Sequence, residues 1–140
     1  MSAERVRARR ILIIDDSEVM LARMKRVLLH AGYEVVTTTQ VVGNARHLTT
    51  CDLIIVDYHM PGLDGSTVAM SMKTVAHSGK HQCAIYLYTS DKNIAANYAQ
   101  LGFDGVLTSK GDEAELVRQV AAYFRLAKMR ALRGSETKGT

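Results

Sequence analysis

The chain has 140 residues, of which 47% are hydrophobic and 23% are charged, and this composition fits one globular domain with its own core. No apolar run approaches the roughly 20 residues that cross a bilayer, so we expect no membrane insertion. The Arg-rich start is not followed by a long apolar segment, which argues against a secretory signal. Cys51 and Cys83 form no C-x-x-C pair, and unpatterned cysteines of this kind are typical of a reducing, cytoplasmic compartment.

The formal net charge of +4 is concentrated at the two ends of the chain. Residues 11–124 carry nine basic and twelve acidic side chains, so the body is mildly acidic. Basic ends can bind nucleic acid or anionic lipid, but we expect these to be solvated and do not expect DNA as a partner. The predicted organisation is a basic N-terminal arm over 1–9, one domain over 10–129, and a flexible basic tail over 130–140.

Short β-type runs alternate along the chain with stretches of helical period. A strand over 11–14 precedes a helix over 20–31, which Gly32 ends. A strand over 35–38 precedes a weakly patterned helix over 41–48. The third strand covers 53–56 and is followed by a helical stripe over 68–75. A strand over 84–88 precedes a helix over 94–101, and a short strand over 106–107 precedes the longest helix, over 116–127.

This alternation predicts an α/β fold, a doubly wound five-stranded parallel sheet with five helices. The strands over 11–14 and 53–56 are apolar at every position, as expected for strands that helices cover on both faces. In sheets of this type, ligands bind beyond the carboxyl ends of the strands. The residues that follow each strand are therefore the candidates for a functional site.

Polar side chains follow four of the five strands, and they are of complementary kinds. Asp15 and Asp16 follow the first strand, Asp57 follows the third, Thr89 follows the fourth and Lys110 comes shortly after the fifth. Three carboxylates at one edge would repel one another, and Mg²⁺ is suited to bind there because it prefers carboxylates, waters and phosphate oxygens. A hydroxyl and an ammonium suit an incoming phosphoryl group, whose charge must be neutralised.

Each of these residues also has an ordinary structural interpretation. Asp16 or Ser17 could simply cap the first helix, and Thr89 could cap the next helix along the chain. A single lysine such as Lys110 is usually solvated. The functional interpretation depends on all of them meeting at one edge of the sheet.

The segment DYHMPGLDG, which runs from Asp57 to Gly65 after an apolar strand, resembles the receiver domain of two-component response regulators. The resemblance extends from about Arg10 to Ala127 and implies the strand order 2-1-3-4-5. It implies that Asp57 is the phosphoacceptor in a two-component phosphorelay. A histidine kinase or a phosphotransfer protein would donate the phosphoryl group, and a downstream protein target would bind the switched surface. The chain would then be a signalling module, not an enzyme, and a monomer or a weak dimer.

The resemblance also implies a role for each candidate residue. Asp16, Asp57 and the backbone carbonyl of His59 would bind Mg²⁺ directly, with Asp15 acting mainly through water. Thr89 would be the switch hydroxyl, which moves on phosphorylation, and Lys110 would hold a phosphoryl oxygen. The side chains of His59 and Asp91, beside the path of the attacking water, would tune dephosphorylation.

Two positions depart from the family pattern. Leu107 stands three residues before Lys110, where the family commonly has Tyr or Phe as the aromatic half of the switch. Gly111 stands where the family commonly has a proline after a cis peptide bond, so the sequence predicts a trans bond or a more mobile loop here. These departures concern the output of the domain, since neither alters a residue that carries the chemistry.

Three other functions remain as alternatives. A pseudo-receiver would bind partners without phosphorylation, but it would usually lack acidic residues that this chain retains. A basic-tailed nucleic-acid-binding regulator would use the two ends, although no helix-turn-helix pattern follows residue 130 and we expect no full DNA-binding output domain. A hydrolase or a nucleotide-binding enzyme on the same topology is disfavoured, because no G-x-G-x-x-G follows the first strand and no phosphate-binding P-loop motif occurs.

Overall fold

A five-stranded, all-parallel sheet forms the centre of the computed structural model, which describes residues 8–40, 50–57, 59–60, 63–64 and 83–138. The strands are β1 (Arg10–Ile14), β2 (Glu34–Thr38), β3 (Leu53–Asp57), β4 (Ala84–Tyr88) and β5 (Gly105–Leu107). They pair in the order β2-β1-β3-β4-β5, as the sequence predicted. The residue pairing brings the carboxyl ends of β1, β3, β4 and β5 to one edge of the sheet.

Three helices lie in the described part of the chain: α1 (Glu18–His30), α2 (Lys92–Ala96) and α3 (Glu113–Lys138). Ser17 caps α1, because its hydroxyl accepts a hydrogen bond from the Met20 amide at 3.2 Å. Gly32 follows α1 with a φ of +102°, which glycine adopts readily, so the predicted stop is confirmed. The two other predicted helices, over 41–48 and 68–75, lie outside the described residues.

Two helix lengths differ from the prediction. The helix predicted over 94–101 is only the five-residue α2, and the chain continues through turns to Leu101. The last helix continues to Lys138, so the backbone is helical in most of the stretch where a flexible tail was expected. Residues 129–133 are Met, Arg, Ala, Leu and Arg, which all favour helix, and adding residues to an existing helix costs little.

Side chains cover both faces of the sheet, as the doubly wound prediction requires. On one face, β1, β3 and β5 contribute Ile13, Ile55 and Leu107 to a core that includes buried residues of α1 and α3. On the other face, Ile14 and Val56 pack with Phe103 and with partly buried side chains of the segment around α2. The two cores fix the strand ends, and with them the edge where the polar residues lie. In the described parts of the chain, no helix has both the length and the apolar character that a bilayer crossing requires.

Candidate functional site

Three carboxylates meet at the carboxyl edge of the sheet. Asp15 and Asp16 directly follow β1, and Asp57 is the last residue of the neighbouring strand β3. Each offers one oxygen atom, and the three atoms lie within 4.8 Å of one another. Asp15 and Asp57 are buried, whereas Asp16 is exposed. The sequence-predicted acidic cluster therefore forms a pocket that opens to solvent on the Asp16 side.

Asp15 is the most deeply buried of the three carboxylates, with 1% of its surface exposed. Its Oδ1 accepts a hydrogen bond from the Ser17 amide at 2.9 Å. Its Oδ2 accepts no hydrogen bond from any described residue, although this atom is buried. Burial raises the pKa of the Asp15 carboxyl, and the nearby Asp57 carboxylate raises it further; the Ser17 amide and Lys110 oppose the rise. Burial therefore disfavours the charged form of this carboxyl, and the Ser17 amide and Lys110 compensate only in part.

The Lys110 ammonium lies between two of the carboxylates. Its Nζ is 2.7 Å from Asp57 Oδ1 and 3.6 Å from Asp15 Oδ2. A charge-assisted contact of 2.7 Å is short enough to fix the ammonium on the Asp57 carboxylate. One ammonium against three carboxylates still leaves an excess of negative charge. The cluster can therefore accept a further cation.

The loop that carries Lys110 has an unusual backbone. Ser109 has a φ of +58° and Gly111 a φ of +99°, so the chain turns sharply on both sides of the lysine. The described residues contain no cis peptide bond, so the bond before Gly111 is trans. The Gly111 amide donates a hydrogen bond to the Tyr88 hydroxyl at 3.2 Å, and the Asp112 amide donates to the Ser109 carbonyl at 3.0 Å. The loop is thus held by specific contacts.

Thr89 lies directly after β4 and is 4% exposed. Its amide donates to the Leu107 carbonyl at 3.1 Å, and its hydroxyl accepts from the Asp91 amide at 3.0 Å. Asp91 in turn caps α2 by accepting from the Asn93 and Ile94 amides. The Thr89 hydroxyl therefore lies where the carboxyl edge of the sheet leads into α2. The helix cap is therefore Asp91, and Thr89 does not cap the helix itself, since its hydroxyl binds the amide of the capping residue.

The remaining predicted site residue is His59. It pairs with Asp64 in a short antiparallel ladder of two strands, His59–Met60 and Leu63–Asp64. Its side chain lies outside the described residues, and the role of its backbone carbonyl stays a prediction. The edge of the sheet thus brings together Asp15, Asp16, Asp57 and Lys110, with Thr89 on the neighbouring strand end.

Sequence reasoning missed two residues that border this site. Tyr88 was predicted only as a strand residue, but its hydroxyl binds the Lys110 loop. Gln119 of α3 holds the start of the same loop, since its side chain accepts from the Thr108 amide at 2.9 Å and donates to the Thr108 carbonyl at 3.2 Å. The available signal for Tyr88 was its place directly before the predicted switch residue, at the end of the strand.

The family model of the response regulator receiver domain matches residues 11–121 of this chain, which therefore belongs to that family. Receiver domains are signalling modules of two-component systems. The match covers all five strands, the acidic cluster, Thr89 and Lys110.

Individual relatives agree with this assignment. The transcriptional regulatory protein PrrA of Mycobacterium tuberculosis is 31% identical over 131 residues, which cover 91% of this chain and 55% of PrrA. The chain thus spans about half the length of this relative. The chemotaxis protein CheY4 of Vibrio cholerae has the same fold, with a TM-score of 0.68 at 20% identity, over 83% of this chain and 98% of CheY4.

A third similar protein was solved with ligands. The response regulator TrrA of Thermotoga maritima, in complex with Mg²⁺ and BeF, has a TM-score of 0.67 at 24% identity. The match covers 81% of this chain and 97% of TrrA. At this identity the likeness shows the shared fold, and the ligands are those of TrrA.

Proposed function

We propose that this domain accepts a phosphoryl group on Asp57 from a histidine kinase or a phosphotransfer protein. The observation that carries the proposal is the Lys110 ammonium, 2.7 Å from Asp57 Oδ1 within a cluster of three carboxylates. A lysine in this position can neutralise an oxygen of the incoming group as charge develops on it. The acceptor carboxylate is mostly buried at the end of a strand, so its position is fixed before the donor arrives.

The proposed reaction exchanges one bond to phosphorus for another. A carboxylate oxygen of Asp57 attacks the phosphorus of a phosphohistidine, a new P–O bond forms and the P–N bond breaks. The leaving imidazole nitrogen takes a proton from solvent. In the return reaction, water attacks the phosphorus, the P–O bond to Asp57 breaks, and inorganic phosphate leaves with the carboxylate restored. The domain acts only on its own phosphorylation state.

The carboxylate oxygens of the acidic cluster fit Mg²⁺, and binding of this ion is part of the proposed function. Asp16 and Asp57 would bind it directly with the His59 backbone carbonyl, and Asp15 would act mainly through water. The buried Asp15 Oδ2, which accepts no hydrogen bond from a described residue, and the excess of negative charge support this assignment, since hard oxygen ligands suit a hard cation. When bound, the ion would supply positive charge to the carboxylates and to the phosphoryl oxygens. The Mg²⁺ in the TrrA complex supports the same expectation for this chain.

The proposed output is a change in a protein-binding surface. Added charge on Asp57 would draw the Thr89 hydroxyl inward, away from the Asp91 amide that it now binds. Because Asp91 caps α2, that movement would reach the helix and the loop before it. We expect a protein target, because the body of the domain is acidic and only its ends are basic. The proposal also places the domain in the cytoplasm, as a monomer or a weak dimer.

Intact-mass measurement with a small acyl phosphate donor tests this function. With Mg²⁺, the wild-type chain should gain one phosphoryl group, and Asp57→Asn should gain none. Asp104→Asn is the matched control, because Asp104 lies outside the acidic cluster. Its carboxylate accepts a hydrogen bond from the Ile85 amide. Labelling that persists in Asp57→Asn or without Mg²⁺ contradicts the mechanism. A wild type that takes no phosphoryl group would instead favour a pseudo-receiver.

A further inference from the structure

The peptide bond between Lys110 and Gly111 is held on both sides by residues that flank Thr89. The Gly111 amide donates to the Tyr88 hydroxyl at 3.2 Å, and the Ser90 hydroxyl donates to the Lys110 carbonyl at 3.4 Å. Both polar groups of this one peptide unit are therefore bound to the end of β4. The same peptide unit adjoins the lysine whose ammonium contacts Asp57.

Tyr88 is well suited to fix a loop. It is 1% exposed and packs in the core that includes Leu107, Leu116 and Val120, so its ring is held by its neighbours. A buried hydroxyl needs a hydrogen-bond partner, and the Gly111 amide provides one. The bond thus connects the packed core directly to the loop of Lys110.

Gly111 makes this bond possible in two ways. It carries a backbone N–H, which a proline at this position would lack. Its φ of +99° is a conformation that side chains with a Cβ rarely adopt, and the glycine accepts it without strain. Gly111 and Tyr88 are thus the donor and the acceptor of one hydrogen bond at the position where the chain departs from the family pattern.

We propose that Tyr88 is a positioning residue, whose hydroxyl holds Lys110 in place for its contact with Asp57 by accepting the Gly111 hydrogen bond. This inference rests on the proposed phosphoryl transfer to Asp57. Ser90 holds the other side of the same peptide unit. Because Tyr88 and Ser90 flank Thr89, the loop of Lys110 and the switch hydroxyl are attached to the same short segment.

The test compares Tyr88→Phe, which removes only the hydroxyl, with Tyr123→Phe. The Tyr123 ring packs against Tyr86 and Phe124, so this control removes a hydroxyl from the same core without touching the loop. Near-ultraviolet circular dichroism first checks that each variant is folded. The rate of Asp57 labelling by a small acyl phosphate with Mg²⁺ is then measured for each folded variant. The Gly111 amide is followed by NMR through its chemical shift and its hydrogen exchange.

Tyr88→Phe should label about fivefold more slowly than wild type, the factor expected for the loss of one net hydrogen bond. Its Gly111 amide should shift and exchange faster, whereas Tyr123→Phe should match wild type in both measurements. Ser90→Ala, at an exposed site, removes the other contact of this peptide unit and should also slow labelling, but by less than Tyr88→Phe. If Tyr88→Phe does not fold, a wild-type labelling rate in Ser90→Ala overturns the proposal that these contacts position Lys110.

A wild-type labelling rate in Tyr88→Phe overturns the assignment of Tyr88, whether or not the Gly111 amide moves. Slow labelling with an unchanged Gly111 amide overturns it as well, because the effect would then not pass through this bond. If the wild-type chain takes no phosphoryl group, the proposed function itself fails and the positioning role fails with it. The two failures are therefore distinguishable.

Discussion

The carboxyl group of Asp15 lies buried within the acidic cluster. Its charge is buried, one oxygen accepts no hydrogen bond from any described residue, and burial raises its pKa. A carboxyl whose pKa is higher in the folded state than in the unfolded state favours folding when it is protonated. Its contribution to stability is therefore present at low pH and is lost as the pH rises through the folded-state pKa.

Asp15→Asn should stabilise the metal-free protein at neutral pH, because an amide of the same shape removes the buried charge. The increase in melting temperature over wild type should shrink as the pH falls through the raised folded-state pKa, and it should vanish below the ordinary carboxyl value of 3.8, where Asp15 is protonated in both states. Thermal unfolding in chelator across the pH range measures this, with Glu34→Gln on the exposed edge strand as the control. A loss of stability at neutral pH would show that the Asp15 charge is well solvated.

At the residue scale, much of the candidate site could be predicted from the sequence. Asp15, Asp57 and Lys110 were placed by one rule, that residues after parallel strands meet at one edge. The bond between Tyr88 and Gly111 could not be predicted, since it depends on the positive φ angles of the loop and on the depth of the tyrosine ring. Neither quantity follows from a pattern of apolar residues.

The connections between elements carry the proposed signal. One connection runs from β4 through Thr89 and Asp91 to α2. It is held by hydrogen bonds that the Thr89 and Asp91 side chains accept from backbone amides. The other, from β5 through Lys110 to α3, is held by Tyr88 and Gln119. Leu107 is buried at the end of β5, so no aromatic ring is available at that position to move between buried and exposed places. Among the described residues, we expect a change at Asp57 to pass mainly through these two loops.

Beryllofluoride with Mg²⁺, a mimic of the phosphorylated state, should move amide signals in residues 89–101 and 108–113 more than those in α1. Thr89→Ala should remove most of that shift, because it deletes the hydroxyl that connects the pocket to the Asp91 cap. Two-dimensional NMR of both proteins measures this, and Asp57→Asn checks that the mimic acts at the acceptor. Shifts confined to residues beside the acidic cluster would describe a domain that is phosphorylated but does not switch by itself.

For the whole molecule, the parallel sheet was predicted correctly because short β-type runs alternate with stretches of helical period, and two central runs are apolar throughout. The length of α3 was not predicted correctly, because the Gly, Ser and Thr residues near the end of the sequence are typical of a flexible tail. At the other end, the Arg9 guanidinium lies 5.3 Å from the centre of the Phe124 ring of α3. The last described residues of the basic arm thus contact the helix that carries the basic C-terminal end.

Binding of Mg²⁺ should stabilise the whole domain. A ligand that binds only the folded state raises the free energy of unfolding by about 2.7 kcal/mol at a concentration 100 times its Kd. Calorimetric unfolding with increasing Mg²⁺ should show this rise in wild type and a much smaller one in Asp16→Asn and Asp57→Asn. Glu34→Gln should behave as wild type. An equal rise in all variants would place the bound Mg²⁺ outside the acidic cluster.

Chemical identification of the modified residue tests the central claim most directly. Borohydride reduces an aspartyl phosphate to homoserine, which peptide mass spectrometry distinguishes from unmodified aspartate. After incubation with Mg²⁺ and a small acyl phosphate donor, we predict homoserine at position 57 alone, and none when a chelator replaces Mg²⁺. Homoserine at another aspartate, or a phosphoryl group in the intact mass with residue 57 still an aspartate after reduction, would contradict the assignment of Asp57 as the phosphoacceptor.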